Sequence, residues 1–411
     1  MKLAALAVLS VLLVSGLFAV RNHAASRRVQ IAGPAEDLNF GPLENAPNGH
    51  LSFQKNPNGF RLWVPGKLQL TSDTHEEGGF LFDIPDWTAD ALKQAQPTFG
   101  LGHFVDENNP DCGAYVFDRN YAAMNAVVPG AEQGTLLAFY DAEYHVACKD
   151  EASEPLLSSI GIATSIDGGV TWQNRNQIIQ GLDEATLTAA TVTHLQYCAF
   201  KEQTSRVIDC GASGPSVVER YAEGAVYLYL YYADRTPLTG GRDSIYVARA
   251  LVASDGQPGN WEKWNGTAWG ATGDQTGASP IVRPPAGAVL ALQPHVSWNT
   301  ALHSWLMVFK TANDFEVSAS ADGVNWETPV SLLPVDDQLF GFPTLVSVNG
   351  GACDGCADRN DQNPSSLLNS RNEASQQVTG ANGYLYYSSV PANKHHYVGH
   401  RLPFRISANN Q

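Results

Sequence analysis

The chain has 411 residues, enough for a large core, and carries a formal net charge of −16 with no run of Lys or Arg. That balance lacks the electrostatic footprint needed for a phosphate backbone, so nucleic acid is excluded as an expected partner. Six cysteines with a single CxxC pair favour disulfides over zinc, which needs two such close pairs.

Lys2 followed by the apolar residues 3–20 reads as a secretory signal with small residues for cleavage near residues 24–26. Residues 1–26 are therefore expected to be a signal peptide, with an uncleaved anchor as the alternative, and residues 27–411 a single domain. The expected product is a secreted or periplasmic monomer with no membrane contact after cleavage. In that oxidising setting Cys353 and Cys356 are close enough in sequence for a local bridge, Cys198 and Cys210 would close a short loop, and Cys112 and Cys148 remain.

Helical periodicity is nearly absent from the rest of the chain. Short aromatic or aliphatic runs bounded by Gly, Pro, Asn and Asp recur instead, which is the pattern of many antiparallel strands. One run type appears five times, and aligning Trp63, Tyr140, Tyr232, Phe309 and Tyr387 gives separations of 77, 92, 77 and 78 residues. The later runs are each followed by a second alternating run, starting at Ile160, Ile245, Phe315 and Tyr397, and Trp172, Trp261 and Trp326 follow the first three of these. Pro-led segments at residues 214–220, 293–299 and 342–348 precede the repeated run in three units. Four strands in each of five units predict an all-β fold, a five-bladed β-propeller of four-stranded antiparallel blades. The last unit stops short, so an N-terminal strand around residues 51–53 is expected to close the ring. A pair of β-sandwiches would also give short strands, but it predicts no period near 78. Residues 350–380, rich in Asn, Ser, Gln and Asp, read as a solvated insertion in the last blade stapled by Cys353 and Cys356. A calcium loop built from Asp354, Asp358, Asn360 and Asp361 lacks the EF-hand spacing.

Residues 165–172 read SIDGGVTW, and residues 320–326 carry the looser copy SADGVNW. In such a turn the Asp carboxylate accepts backbone N–H bonds, Gly relieves a tight bend and Trp packs beneath. The string resembles the Asp box of sialidases and other β-propeller glycosidases. Its expected place is between the third and fourth strands, away from the pocket face, so Asp167 and Asp322 are read as structural. Sialidases have six blades, an Arg triad and a Tyr nucleophile, and no sixth repeat is present here.

The pocket face of a propeller collects the start of each innermost strand and the loop after the second strand. That filter selects Asp118 and Arg119 ahead of the second unit's inner strand, Asp141, Glu143 and His145 after its second strand, Asp234 and Arg235 in the third unit, and His295 with Asn313 and Asp314 in the fourth. Two or three carboxylates around one pocket suit glycosidic cleavage, in which one acid protonates the leaving oxygen and a second carboxylate activates water or attacks. Asp118, Glu143 and Asp234 are the candidate catalytic set. Arg119, His145, Arg235 and His295 could hydrogen-bond sugar hydroxyls or an acidic substituent.

The five repeats, the Asp-box turns and the acidic rim resemble the five-bladed propeller glycoside hydrolases, the superfamily of arabinanases, β-xylosidases and fructan hydrolases. The resemblance implies an Asp base, a second Asp that orients and a Glu acid from successive blades. Asp118 and Asp234 match by blade position and Glu143 by type, while Ser213 stands where the family's Glu is expected. A carbohydrate is the implied partner. No cofactor is expected, with a central Ca2+ or other ion between His295 and nearby carboxylates as the alternative. A non-catalytic glycan-binding propeller and a polysaccharide lyase using His145, His295 or a Tyr as base are the competing functions. No Gly-x-Ser-x-Gly string occurs, so serine nucleophile chemistry is not expected. Asn265-Gly266-Thr267 fits a glycosylation sequon.

Overall fold

A computed structural model describes residues 25–56, 58–86, 88–109, 115–145, 155–181, 208–235, 243–272, 278–284, 290–312, 314–334, 339–347, 376–390 and 396–407. Short strands β1 (Val29–Ile31), β2 (Glu36–Leu38) and β3 (Leu43–Glu44) lead into the first antiparallel meander, β4 (Ser52–Asn56), β5 (Gly59–Gln69), β6 (Thr74–Ile84) and β7 (Thr98–Asp106). A short helix, α1 (Ala89–Gln94), links β6 to β7 and is capped by the Thr88 hydroxyl, which accepts from Ala91 N. The second meander is β8 (Tyr121–Pro129), β9 (Leu136–His145), β10 (Pro155–Ser165) and β11 (Gln173–Ile179). The third is β12 (Ile208–Ala222), β13 (Ala225–Arg235), β14 (Ser244–Leu251) and β15 (Glu262–Trp264), extended by β16 (Trp269–Thr272). Then come β17 (Leu292–Asn299), β18 (Ser304–Lys310), β19 (Asp314–Ser320) and β20 (Val330–Pro334), and last β21 (Leu339–Val346), β22 (Val378–Thr379), β23 (Asn382–Ser389) and β24 (Val398–Ile406). A parallel contact of β10 with β12 joins the second and third meanders into one hydrogen-bonded sheet.

The five aligned aromatics fall on β5, β9, β13, β18 and β23, the second strand of each meander. These strands are apolar on both sides because each faces two cores. In β18, Trp305, Met307 and Phe309 enter the core shared with the third meander, while Leu306 and Val308 enter the core shared with the fifth. The same alternation puts Leu137 and Phe139 of β9 into one core and Ala138 and Tyr140 into another. Five such clusters each draw on two neighbouring meanders, and one of them packs Val346 and Tyr386 of the last meander against Phe53, Leu62 and Phe80 of the first. Burying each large side chain contributes on the order of 2 kcal/mol, so the interfaces between meanders supply most of the stabilisation.

The N-terminal residues that complete the last sheet lie upstream of the predicted segment. β1 pairs with β24 through Val29 and Ile406, and β2 pairs with it through Asp37 and His400. Residues 52–56 instead form the innermost strand of the first meander, opposite β5. The apolar alternation of Leu51 and Phe53 fits an inner strand as well as an outer one, and only their burial in the core shared with β5 decides between them. Ser26, placed by sequence in the cleavage region, is buried, and its backbone N and hydroxyl both donate to Glu327 Oε2.

The end of the presumed solvated insertion is also part of the core. Residues 376–379 are all buried and touch every meander. Gln376 Oε1 accepts from Phe53 N and its Nε2 donates to Val127 O, while Gln377 Oε1 accepts from Glu219 N and its backbone O from Trp298 N. Thr379 pairs with Asn299 of β17, and the next residues enter β23. The two glutamine amides act as movable backbone groups, satisfying inner-strand N–H and C=O groups that no neighbouring strand reaches. Residues 348–375, including Cys353, Cys356 and the candidate calcium residues, lie outside the described residues, as do Cys112, Cys148, Cys198, the Cys210 side chain and residues 1–24.

Candidate active site

One end of the meanders carries the two Ser-x-Asp turns, and the opposite end carries the candidate site. The first turn joins β10 to β11, and Ser165 lies opposite Leu136 at the far end of β9 from His145. Asp167 accepts from Val170 N and Thr171 N, from the Thr171 hydroxyl at 2.5 Å and from the Ser165 hydroxyl at 2.7 Å. These bonds, the Thr171 hydroxyl foremost, hold its carboxyl far below the usual range. Asp322 repeats the arrangement between β19 and β20, with Asn325 in place of Thr. Burial pushes the Asp322 carboxyl up, but the Asn325 and Val324 hydrogen bonds outweigh it and the net shift is downward. Both turns latch onto the preceding meander. Gly168 O accepts from Arg61 and Gly169 O from Trp63, while Asp322 O accepts from Arg220 and Gly323 O from Tyr231.

At the other end, the inner strands of the third, fourth and fifth meanders open with the same irregularity. Gly214, Gln293 and Phe342 each precede a proline, each has φ between +52° and +62°, and each sits in a register shift against the second strand. A left-handed conformation suits Gly214, where an added Cβ would meet Gln293 Cα at 3.0 Å. For Gln293 and Phe342 it costs about 1–2 kcal/mol each. The bulges turn backbone N–H groups toward the preceding meander. Gly214 N donates to Asp141 Oδ1 at 2.6 Å, and Phe342 N donates to Gln293 Oε1 at 3.0 Å.

These contacts continue around the innermost strands. Asn125 of β8 donates to Asp141 Oδ2 at 3.2 Å and accepts from His50 N at 2.8 Å. His50 Nδ1 meets the Thr344 hydroxyl at 3.2 Å, and His295 Nδ1 accepts from Leu345 N at 3.3 Å. The His50 and His295 rings lie 5.8 Å apart. Burial lowers His50 to about 3, and burial with the adjacent His50 lowers His295 well below the ordinary value, so both imidazoles are neutral near pH 7.

The carboxylates divide by face. Asp141 shares a face of β9 with Phe139, and Asp234 shares a face of β13 with Tyr232, and both aromatics belong to the core between the second and third meanders. Glu143 is the next residue on the Asp141 face. Asp234 lies opposite Ala212, two positions from the Gly214 that binds Asp141. Asp141 and Asp234 are buried, and Glu143 is half-buried. Tyr121, opposite Glu143 in the ladder, donates to Asn48 O. Its phenol is raised well above the ordinary value, first by burial and then by the charges of Glu77, Glu143 and Asp141. Glu77, on β6, is not among the residues that the sequence selects.

Asp118 lies on the other side of the second meander. It accepts from Arg175 Nε at 2.8 Å and Nη2 at 2.7 Å and from the Tyr140 hydroxyl at 3.0 Å. Arg175 also donates to Gly102 O of β7, so this pair ties the second meander to the first. Burial and the Asp118 charge together raise the Tyr140 phenol. Arg119 occupies the turn ahead of β8, with its N–H on Val116 O. His145 and Arg235 end β9 and β13 as expected, but their side chains lie outside the described residues, as does Asn313. His295 is buried on β17, as the sequence placed it. Among the described residues no group of three or more His, Cys, Asp or Glu side chains is disposed to hold a metal ion.

No family model and no curated protein matches the chain. Solved structures of similar shape include several described as glycoside hydrolases or glycosidases. One described as a glycoside hydrolase is 12% identical, covers 93% of this chain and 94% of that one, and has a TM-score of 0.49. A GH43_1 enzyme from Xanthomonas citri is 10% identical over 93% of each chain with a TM-score of 0.46. The catalytic domain of a Coprinopsis cinerea GH62 alpha-L-arabinofuranosidase is 10% identical over 92% of this chain and 96% of that one, with a TM-score of 0.45. At these identities the likeness is one of shape.

Proposed function

We propose that the five meanders are the blades of a five-bladed propeller, with Asp-box turns on one face, and that the opposite face hydrolyses glycosidic bonds of an oligo- or polysaccharide. The observation that carries this reading is the grouping of Asp141, Glu143 and Asp234 above a single core, with Asp141 fixed by Gly214 N and the Asn125 amide. Two N–H donors stabilise the ionised carboxylate. Asp141 therefore takes the role of base or nucleophile, Glu143 that of the acid on the leaving oxygen, and Asp234 orients the pair. Asp118 is assigned to the scaffold, because Arg175 already neutralises it. The neutral His50 and His295 line the inner strands without adding positive charge near the acid. Export through a cleaved signal and a monomeric state belong to the same reading, with cleavage upstream of Ser26, since Ser26 is part of the fold.

The test is a screen of aryl glycosides and polysaccharides with the wild type, Asp141→Asn, Glu143→Gln and Asp118→Asn. Loss of about a thousandfold in the first two, with Asp118→Asn active, is the expected result. Full activity of Glu143→Gln removes it as the acid, and an unsaturated, ultraviolet-absorbing product replaces hydrolysis with elimination.

A further inference from the structure

A second set of side chains with chemical potential lies on the last meander. Ser389 is the final residue of β23, and its hydroxyl is 2.6 Å from His400 Nε2. His400, on β24, places Nδ1 2.8 Å from Asp37 Oδ1 of the N-terminal strand β2. Asp37 is distant in the chain from Ser389 and His400, and strand register brings it to them. Asp37 and His400 are direct partners in the β2 and β24 ladder. Tyr387 is the direct partner of His400 in the β23 and β24 ladder, and Ser389 is two residues further along the same face. The Tyr387 ring stacks on the imidazole at 5.0 Å with an interplanar angle of 27°, so the ring is held in its plane by a buried aromatic and at both nitrogens by oxygen partners.

One tautomer of His400 gives these contacts a direction of proton flow. With Nδ1–H given to the Asp37 carboxylate, Nε2 presents its lone pair to the Ser389 hydroxyl, which is the arrangement of a nucleophile, its base and the group that orients the base. Ser389 and His400 are half-buried and Asp37 is exposed, so the hydroxyl is open to a substrate carbonyl. No Gly-x-Ser-x-Gly elbow is involved, because the serine stands at a strand end rather than on a strand-to-helix turn.

We propose that Ser389, His400 and Asp37 form a second hydrolytic site that accepts small carboxylic esters by way of an acyl-serine. Ser389 Oγ bonds to the ester carbonyl carbon as its proton passes to His400 Nε2. The bond from that carbon to the alcohol oxygen then breaks, and the alcohol leaves with the proton from His400. Water, deprotonated by His400, attacks the acyl carbon, the carboxylic acid departs and Ser389 regains its proton. Ser389 and His400 are the catalytic residues, and Asp37 is a positioning residue. Its exposure means that water screens its charge, so its removal has the smaller effect. The proposal is independent of the glycosidase reading.

The full chain is treated with a fluorophosphonate probe, the adduct is mapped by mass spectrometry, and hydrolysis of p-nitrophenyl acetate is followed in parallel. The expected adduct is on Ser389 in the wild type and absent from Ser389→Ala, with labelling and esterase rates falling about a hundredfold or more in His400→Gln and about tenfold in Asp37→Asn. Circular dichroism verifies that each variant is folded. A wild-type protein that leaves Ser389 unlabelled overturns the proposal, and so does a Ser389→Ala variant that hydrolyses the ester at the wild-type rate. Unchanged glycoside turnover in Ser389→Ala shows that the two sites are separate.

Discussion

The second meander carries carboxylates on both faces, and the two faces use them differently. Toward the first meander, Asp118 is met by the Arg175 guanidinium and the Tyr140 hydroxyl, so its charge is spent on joining outer strands. Toward the third, Asp141 is met by a backbone N–H and a neutral amide, with Glu143 on the same face and Asp234 on the facing strand. Neutral N–H donors also favour an ionised carboxylate, as the turn around Asp167 shows. Under the proposed reading the two aspartates are told apart not by burial, since both are buried, but by which side of the second meander each one faces.

The comparison breaks most visibly in turnover. Asp141→Asn is expected to lower glycoside hydrolysis by about a thousandfold with little change in unfolding, whereas Asp118→Asn leaves the rate within about twofold. Stability gives the converse. Asp118→Ala leaves Arg175 against Gly102 O and His103 without its counter-charge, and chemical denaturation should show a loss of about 2–3 kcal/mol. Acid then probes the axial end. Above about pH 6.5 His50 is neutral in both the folded and the unfolded chain and contributes nothing. Below it the unfolded chain takes up a proton that the folded chain refuses down to about pH 3, so stability falls with falling pH. Unfolding free energies from urea titrations at pH 7 and pH 5 should differ by about 2 kcal/mol for His50, with His295 acting in the same sense, and His50→Gln should flatten the dependence. The smallest effect belongs to the opposite end. Ser165→Ala and Ser320→Ala each remove a hydroxyl that joins a turn Asp to a glycine N–H, and thermal unfolding should register about 1 kcal/mol apiece with turnover untouched.

The sequence exposes those features that serve two cores at once. Doubly buried second strands such as residues 305–309 are apolar at every position, and their spacing marks the meanders without further information. Single-faced edge strands leave a weaker trace. β1 is three residues long with only Val29 buried, so its pattern does not mark it as the strand that completes the last sheet. For the site, the order of strands identifies which end Asp118, Glu143 and Asp234 occupy. It cannot say which face, because Asp118 precedes its strand and lies outside the alternation that fixes Asp141 and Glu143. The Ser389 and His400 pair was invisible for a related reason: its third member, Asp37, belongs to an N-terminal strand whose register is set only when β2 reaches β24.

The buried segment at residues 376–379 carries a consequence for how the molecule comes into being. Its acceptor for Phe53 N lies 323 residues further along the chain, and its donor to Val127 O is 249 residues away. Contacts of such separation close long loops and slow the search for the native state. During synthesis the first three meanders must wait, with Phe53 and Glu219 amides open to water, until the glutamines emerge. A nascent chain halted before Gln376 is therefore a set of sheets lacking the residues that bind their inner strands together, and it is during that interval that chaperones and proteases find their opportunity.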